Sequence, residues 1–131
     1  MSLGPPVIGG NLVYVPNPVH RNNTRGKSQW TINETQEVSS FNYSNNEGWI
    51  RETTGWGLHL VNGSPDYLGV ARDHKTQVFV AKFVDANKSR TWHGYPTDFL
   101  DRPPEHILRG WKPLLRTRIL KKLSLGQPCS L

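Results

Sequence analysis

Cysteine is almost absent from this 131-residue chain: Cys129 stands alone, third from the end. That excludes a disulfide within the chain and a zinc site built from four cysteines. Long apolar runs are missing too. No stretch approaches the roughly 20 residues a helix needs to cross a bilayer, and the opening MSLGPPVIGG lacks the basic segment and apolar run of a signal peptide. A cytoplasmic location is the expectation. Five Asn-x-Ser/Thr triplets, starting at Asn22, Asn33, Asn42, Asn62 and Asn87, are read as turn chemistry rather than glycan acceptors.

Catalytic signatures are equally scarce. Gly94 and Gly110 are isolated, so no glycine-rich phosphate loop is present, and neither a Gly-x-Ser-x-Gly elbow nor a Cys/His nucleophile pair appears. His20, His59, His74, His93 and His106 include no pair at i,i+3 or i,i+4. Zinc needs about four ligands at defined geometry, so no metal or cofactor is expected.

What is present is aromatic. Hydrophobic residues make up only 35%, but five Trp, four Tyr and four Phe are among them. Each buried aromatic removes roughly 150–250 Å² from water, enough for a small aromatic-rich core. The chain length fits one ordinary domain, expected over residues 1–131 with 1–10 as a flexible tail.

Charge is uneven. Residues 1–65 carry Arg21, Arg25, Lys27 and Arg51 against Glu34, Glu37, Glu47 and Glu52; residues 66–105 are also balanced. After Glu105 no acidic side chain follows, and Arg109, Lys112, Arg116, Arg118, Lys121 and Lys122 supply the whole formal +6. Charge of one sign confined to one element attracts polyanions better than the same charge diluted over a surface.

The pattern predicts an α+β fold: a four- to six-stranded, mainly antiparallel sheet (a meander) with two C-terminal helices packed on one face. Leu12–Val15 and Gln29–Ile32 are short β-prone runs, and His20–Ser28 is a polar loop. Strands follow over Trp49–Thr53, Trp56–Val61, Tyr67–Ala71 and Thr76–Val84. Asn62-Gly63 marks a tight turn, and Arg72–Lys75 a hairpin loop. The last run is apolar on both faces, as a central covered strand requires. Prolines at 103 and 104 open a first helix with Ile107, Leu108 and Trp111 on one side, and a second runs from about Leu114 to Ser124, ended by Gly126. On the second, Leu115, Ile119, Leu120 and Leu123 form an apolar arc opposite Arg118, Lys121 and Lys122, with Arg116 inside it. Arg118 and Lys122 are like charges at i,i+4, unfavourable unless an anion lies between them.

Three constellations carry candidate chemistry. The basic helix offers Arg118, Lys121 and Lys122 to phosphates, against the plainer alternative of a solvated face. The segment Lys88–Pro96 interleaves Lys88 and Arg90 with Trp92 and Tyr95, the combination single-stranded nucleic acid needs, against the alternative of a strand-to-helix loop whose aromatics pack inward. Within it His93, oriented by Asp85 or Asp98, is a candidate general acid or base for a hydrolase or nuclease. Asp66 with Asp73-x-Lys75 faintly matches a metal-dependent nuclease pattern.

The functional expectation is therefore a small basic binding protein, non-enzymatic, contacting nucleic acid (RNA or DNA) through the basic C-terminal helix and the 88–95 segment. The alternatives are an interaction module for an acidic protein, or a small hydrolase centred on His93. A membrane surface is a weaker fit, and nothing indicates a homo-oligomer.

Overall fold

The computed structural model describes residues 12–131; the expected tail over residues 1–10 lies outside the described residues. In chain order the elements are β1 (Val13–Tyr14), a single 3-10 turn (Pro18–His20), β2 (Gln29–Trp30), α1 (Glu34–Asn46), β3 (Ile50–Arg51), β4 (Thr54–Val61), β5 (Ser64–Asp66), β6 (Gly69–Val70), β7 (Gln77–Val78), β8 (Val80–Val84), β9 (Thr91–Pro96), α2 (Glu105–Gly110) and α3 (Thr117–Leu125).

The architecture is α+β, but the expected single meander is corrected. Among the described residues nine strands form two sheets: a six-stranded one in the order β1-β9-β8-β4-β3 with β5 also on β4, and a three-stranded one in the order β2-β6-β7. The larger sheet is mixed, because β1 runs parallel to β9, pairing Val13 with Thr91 and Tyr14 with Trp92. A parallel pair needs a long crossover, and here most of the domain lies between the two strands.

Local chemistry explains several boundaries. Asn62 (φ 52°) and Gly63 (φ 82°) form the two-residue turn that joins β4 to β5, as an Asn-Gly pair favours in a right-twisted hairpin. The apolar run 76–84 is two strands rather than one. Phe79, fully buried, separates β7 in the small sheet from β8 at the centre of the large one and meets Tyr67 and Phe99 edge to face or tilted. Segment 88–96, expected as a loop, contains β9, paired along β8 from Val84↔His93 to Ala81↔Pro96.

Alternation on the strands assigns the two faces. One carries the rows Gly55–Phe83–Gly94 and Gly57–Ala81, and α1 lies against it. Phe41 of α1 packs on Phe83, Tyr14 and Trp92, and Ser40 Oγ donates to the Leu58 carbonyl at 2.8 Å. Gly57 admits the helix so closely that a Cβ there would run into Ser44 Oγ and the Phe83 ring. The other face carries the row Trp56–Lys82–Tyr95. Over it lies the segment that leads into α2: Asp101 pairs with Lys82 at 3.3 Å, and Pro104 and His106 flank Trp56. Ile119 and Leu123 bury the apolar side of α3, with Leu115 buried just ahead of its N-cap, and Gly126 closes the helix in the left-handed region (φ 70°). Arg116 ends up at the N-cap, exposed, outside the helix proper.

Gly94 sits opposite Phe83, and a Cβ there would overlap the Phe83 ring and the Tyr14 hydroxyl. Overpacking of this kind costs about 1–3 kcal/mol. We expect Gly94→Ala to lower the urea midpoint correspondingly with an unchanged slope, and an unaltered midpoint would contradict the packing described.

Candidate functional site

The cations of α3 face outward. Arg118 and Lys121 are exposed, Lys122 is half-buried, and none of the three forms an ion pair among the described residues. Arg109 differs, reaching Glu105 one turn earlier at 3.4 Å. Arg118 and Lys122 line a cleft of about 440 Å³ together with Lys75, Thr76 and Gln77 of the β6–β7 hairpin. Its far wall is the C-terminal segment, where the Leu131 amide donates to the Tyr67 hydroxyl at 3.0 Å. Cys129 lies in this wall; burial pushes its thiol up, against the opposing pull of Lys122 and Arg118. Lys75 belongs here because its loop is tightly fixed. The Asp73 carboxylate accepts from the Lys75 and Thr76 amides and from the Thr76 hydroxyl, which holds it down at about 2.

The 88–95 segment does not join that cleft. Lys88 and Arg90 sit in the β8–β9 connection with positive φ (53° and 64°), beyond the opposite end of β8 from Gln77 and Phe79. Asp85 fixes this turn by accepting from the Ser89 and Arg90 amides at 3.0 and 2.8 Å. Trp92 is 1% exposed and packs on Phe41, so only its edge borders the separate cleft of about 780 Å³ that it lines with Asp85, Lys88 and Arg90. β9 separates Trp92 from Tyr95 because successive side chains of a strand point to opposite faces.

His93 is not paired with either expected carboxylate. Its Nδ1 donates to the Val15 carbonyl at 2.8 Å, tying β9 to the chain beyond β1. Both oxygens of Asp85 are held by the turn amides, and Asp98 accepts from Arg72 at 2.9 Å and from the Leu100 amide at 3.0 Å. Asp66 accepts from the Tyr67 amide. Asp73 is likewise held by the Lys75 and Thr76 amides of its own loop, and among the described residues no group of three His, Cys, Asp or Glu side chains is placed to hold a metal ion.

A second polar cleft, which spacing along the chain did not indicate, surrounds Tyr95. It measures about 480 Å³ and is lined by His20, Lys27, Arg72, Tyr95, Asp98 and Asp101 among others. The His20 and Tyr95 rings stack, 5.2 Å between centroids and 18° apart. His20 Nδ1 donates to the Ser28 carbonyl at 2.8 Å, which leaves Nε2 of the neutral ring as an acceptor. Burial holds this imidazole below its ordinary value, so the neutral form prevails at neutral pH. Burial, reinforced by Asp101 and then Asp98, pushes the Tyr95 hydroxyl up to about 12. Asp101 is itself fixed by Lys82 and by the Thr97 hydroxyl at 2.8 Å. Tyr95 was legible as an aromatic beside cations. His20 was not, since it lies 75 residues away in sequence and only the fold brings it under Tyr95.

The two clefts are bordered by the same two segments. Arg72 lines one and Lys75 the other, from the same hairpin; Asp98 and Leu100 line one and Phe99 the other, from the same segment. His74, between the two cations, donates from Nε2 to the Lys27 carbonyl at 2.8 Å and locks the hairpin to the 20–28 segment. No helix among the described residues is long and apolar enough to cross a membrane. No family model, no curated protein and no solved structure matches this chain.

Proposed function

We propose that this protein binds a polyanion, specifically nucleic acid, through the outer face of α3. Arg118, Lys121 and Lys122 contact phosphates, with Lys75 completing the cleft beside Arg118 and Lys122. One observation carries it: these helix cations have no intramolecular ion pair among the described residues, and two of them converge with Lys75 on a single groove. The i,i+4 repulsion between Arg118 and Lys122 is relieved when an anion lies between them. Lys88 and Arg90, at the other end of β8, are outside this groove.

Binding then rests on counterion release, and its strength falls with salt. Single strands lose about 0.7 in log K per unit of log salt for each phosphate contacted. Three contacts give a slope of about −2. Fluorescence anisotropy with a short labelled oligonucleotide at several salt concentrations measures it. A flat dependence, or no association at low salt, would refute the proposal. A complex captured from cells that survives nuclease digestion would point instead to an acidic protein partner.

A further inference from the structure

The cleft between His20 and Asp98 shares the 72–75 hairpin with the α3 groove as a border and has a different chemistry. We infer that it is a nucleobase pocket, so that the nucleic acid bound is single-stranded, with phosphates in the α3 groove and one unstacked base against the His20–Tyr95 pair. The inference rests on the phosphate contacts proposed for α3.

Four features carry it. The volume, about 480 Å³, lies within the range of pockets that take small ligands. Its aromatic pair is half-buried rather than fully packed, and the rings are nearly parallel, so a flat π surface borders the cavity. Bases of any identity stack on such surfaces, which is how single strands are held without sequence readout. The rim carries groups that a base edge can use: His20 Nε2 and the Asp98 carboxylate accept, and Arg72 and Lys27 donate. Those groups are held in place beforehand, since Asp98 is fixed by Arg72 and the Leu100 amide, and Asp101 by Lys82 and Thr97.

The same fixation weighs against catalysis. Every carboxylate lining the cleft already accepts a hydrogen bond from the protein, and the His20 ring is oriented by a carbonyl rather than an acid. The arrangement presents fixed edges to a ligand. The position also counts: the hairpin loop borders both clefts, with Arg72 lining one and Lys75 the other.

Two strands of equal length and charge test the pocket, one intact and one carrying abasic sites throughout. Stacking is worth roughly 1–3 kcal/mol per base, so the intact strand should bind on the order of tenfold tighter at the same salt. Tyr95→Leu and, separately, His20→Leu should bring the intact strand down to the abasic affinity and leave abasic binding unchanged. As a second measurement, an intact strand carrying a fluorescent base analogue should be quenched on binding the unaltered protein. Equal affinity for the two strands, or an equal loss on both in the variants, would overturn the pocket while leaving the α3 contacts standing. Absence of salt-dependent binding by either strand would overturn both.

Discussion

Replacing Arg21 with methionine is expected to remove about 3–5 kcal/mol of folding stability at neutral pH, the cost of stripping one partner from a buried ion pair. Glu37, on the inner side of α1, is fully buried, with its side chain at 0% exposure. Arg21 donates to Glu37 Oε1 from Nη2 at 2.7 Å and from Nε at 3.0 Å, and the Tyr14 hydroxyl donates to Oε2. Arg21 Nη1 also donates to the Ile32 carbonyl at 2.9 Å, so one guanidinium ties the entry of α1 to the chain after β1. Methionine preserves the apolar stem but leaves the carboxylate among Tyr14, Phe41 and the sheet with only a phenol as partner.

The pH dependence of that variant is the sharper measurement. Burial raises the Glu37 carboxyl, and the bonds from Tyr14 and Arg21 oppose the rise without cancelling it. A carboxyl that titrates higher in the folded than in the unfolded state binds more protons when folded. Its contribution is therefore fully present below the ordinary carboxylate range and is lost as pH rises through the raised folded value. Deleting Arg21 removes a group that lowers this value, so the folded carboxyl rises further and the loss grows. The deficit of Arg21→Met relative to the unaltered protein should be largest near pH 7 and shrink as acid neutralises Glu37. Adding Glu37→Gln should flatten the difference. Urea unfolding between pH 4 and 8 decides it, and a deficit constant across that range would contradict the burial of an ionised Glu37.

If α3 holds phosphates as proposed, the double reversal Arg118→Glu/Lys122→Glu is expected to abolish most nucleic-acid binding while leaving the fold intact. Arg118 is exposed, Lys122 is half-buried at the cleft edge, and neither belongs to an ion pair among the described residues, so the stability change should stay within about 1 kcal/mol. Two phosphate contacts are lost and two repulsions replace them. At roughly 1 kcal/mol for each change, affinity falls on the order of a hundredfold or more, and the salt slope becomes shallower by about 1.4. Anisotropy titrations beside thermal unfolding of the same samples separate the two effects. An unchanged affinity with an unchanged melting curve would mean that α3 is only a solvated face.

Elements whose shape follows from neighbouring residues were legible. The Asn62-Gly63 turn, the β4 alternation, the proline-led α2 and the Gly126 stop of α3 each depend on backbone preferences within a few positions. The helix α1 was missed because its inner face is not apolar. Glu37, Ser40 and Ser44 point inward beside Phe41, so periodicity had little to register. The overlooked signal was the reciprocal cap, with Asn33 accepting from the Gln36 amide at 2.8 Å and the Gln36 side chain accepting from the Asn33 amide at 2.9 Å. Trp92 and Tyr95 were equivalent as aromatics near cations, and only the pairing of β9 with β8 sent one inward and the other into a cleft.

Sequence alone determined the charge, the scarcity of cysteine and the outward cationic stripe of α3, because these follow from composition and a period of 3.6 residues. Tertiary structure decided which of those cations share a groove, that His20 lies under Tyr95, and that His93 meets a carbonyl instead of an acid. Such meetings depend on long-range strand order and on buried contacts such as Glu37 with Arg21, and residues that come together across the fold leave no spacing along the chain to read.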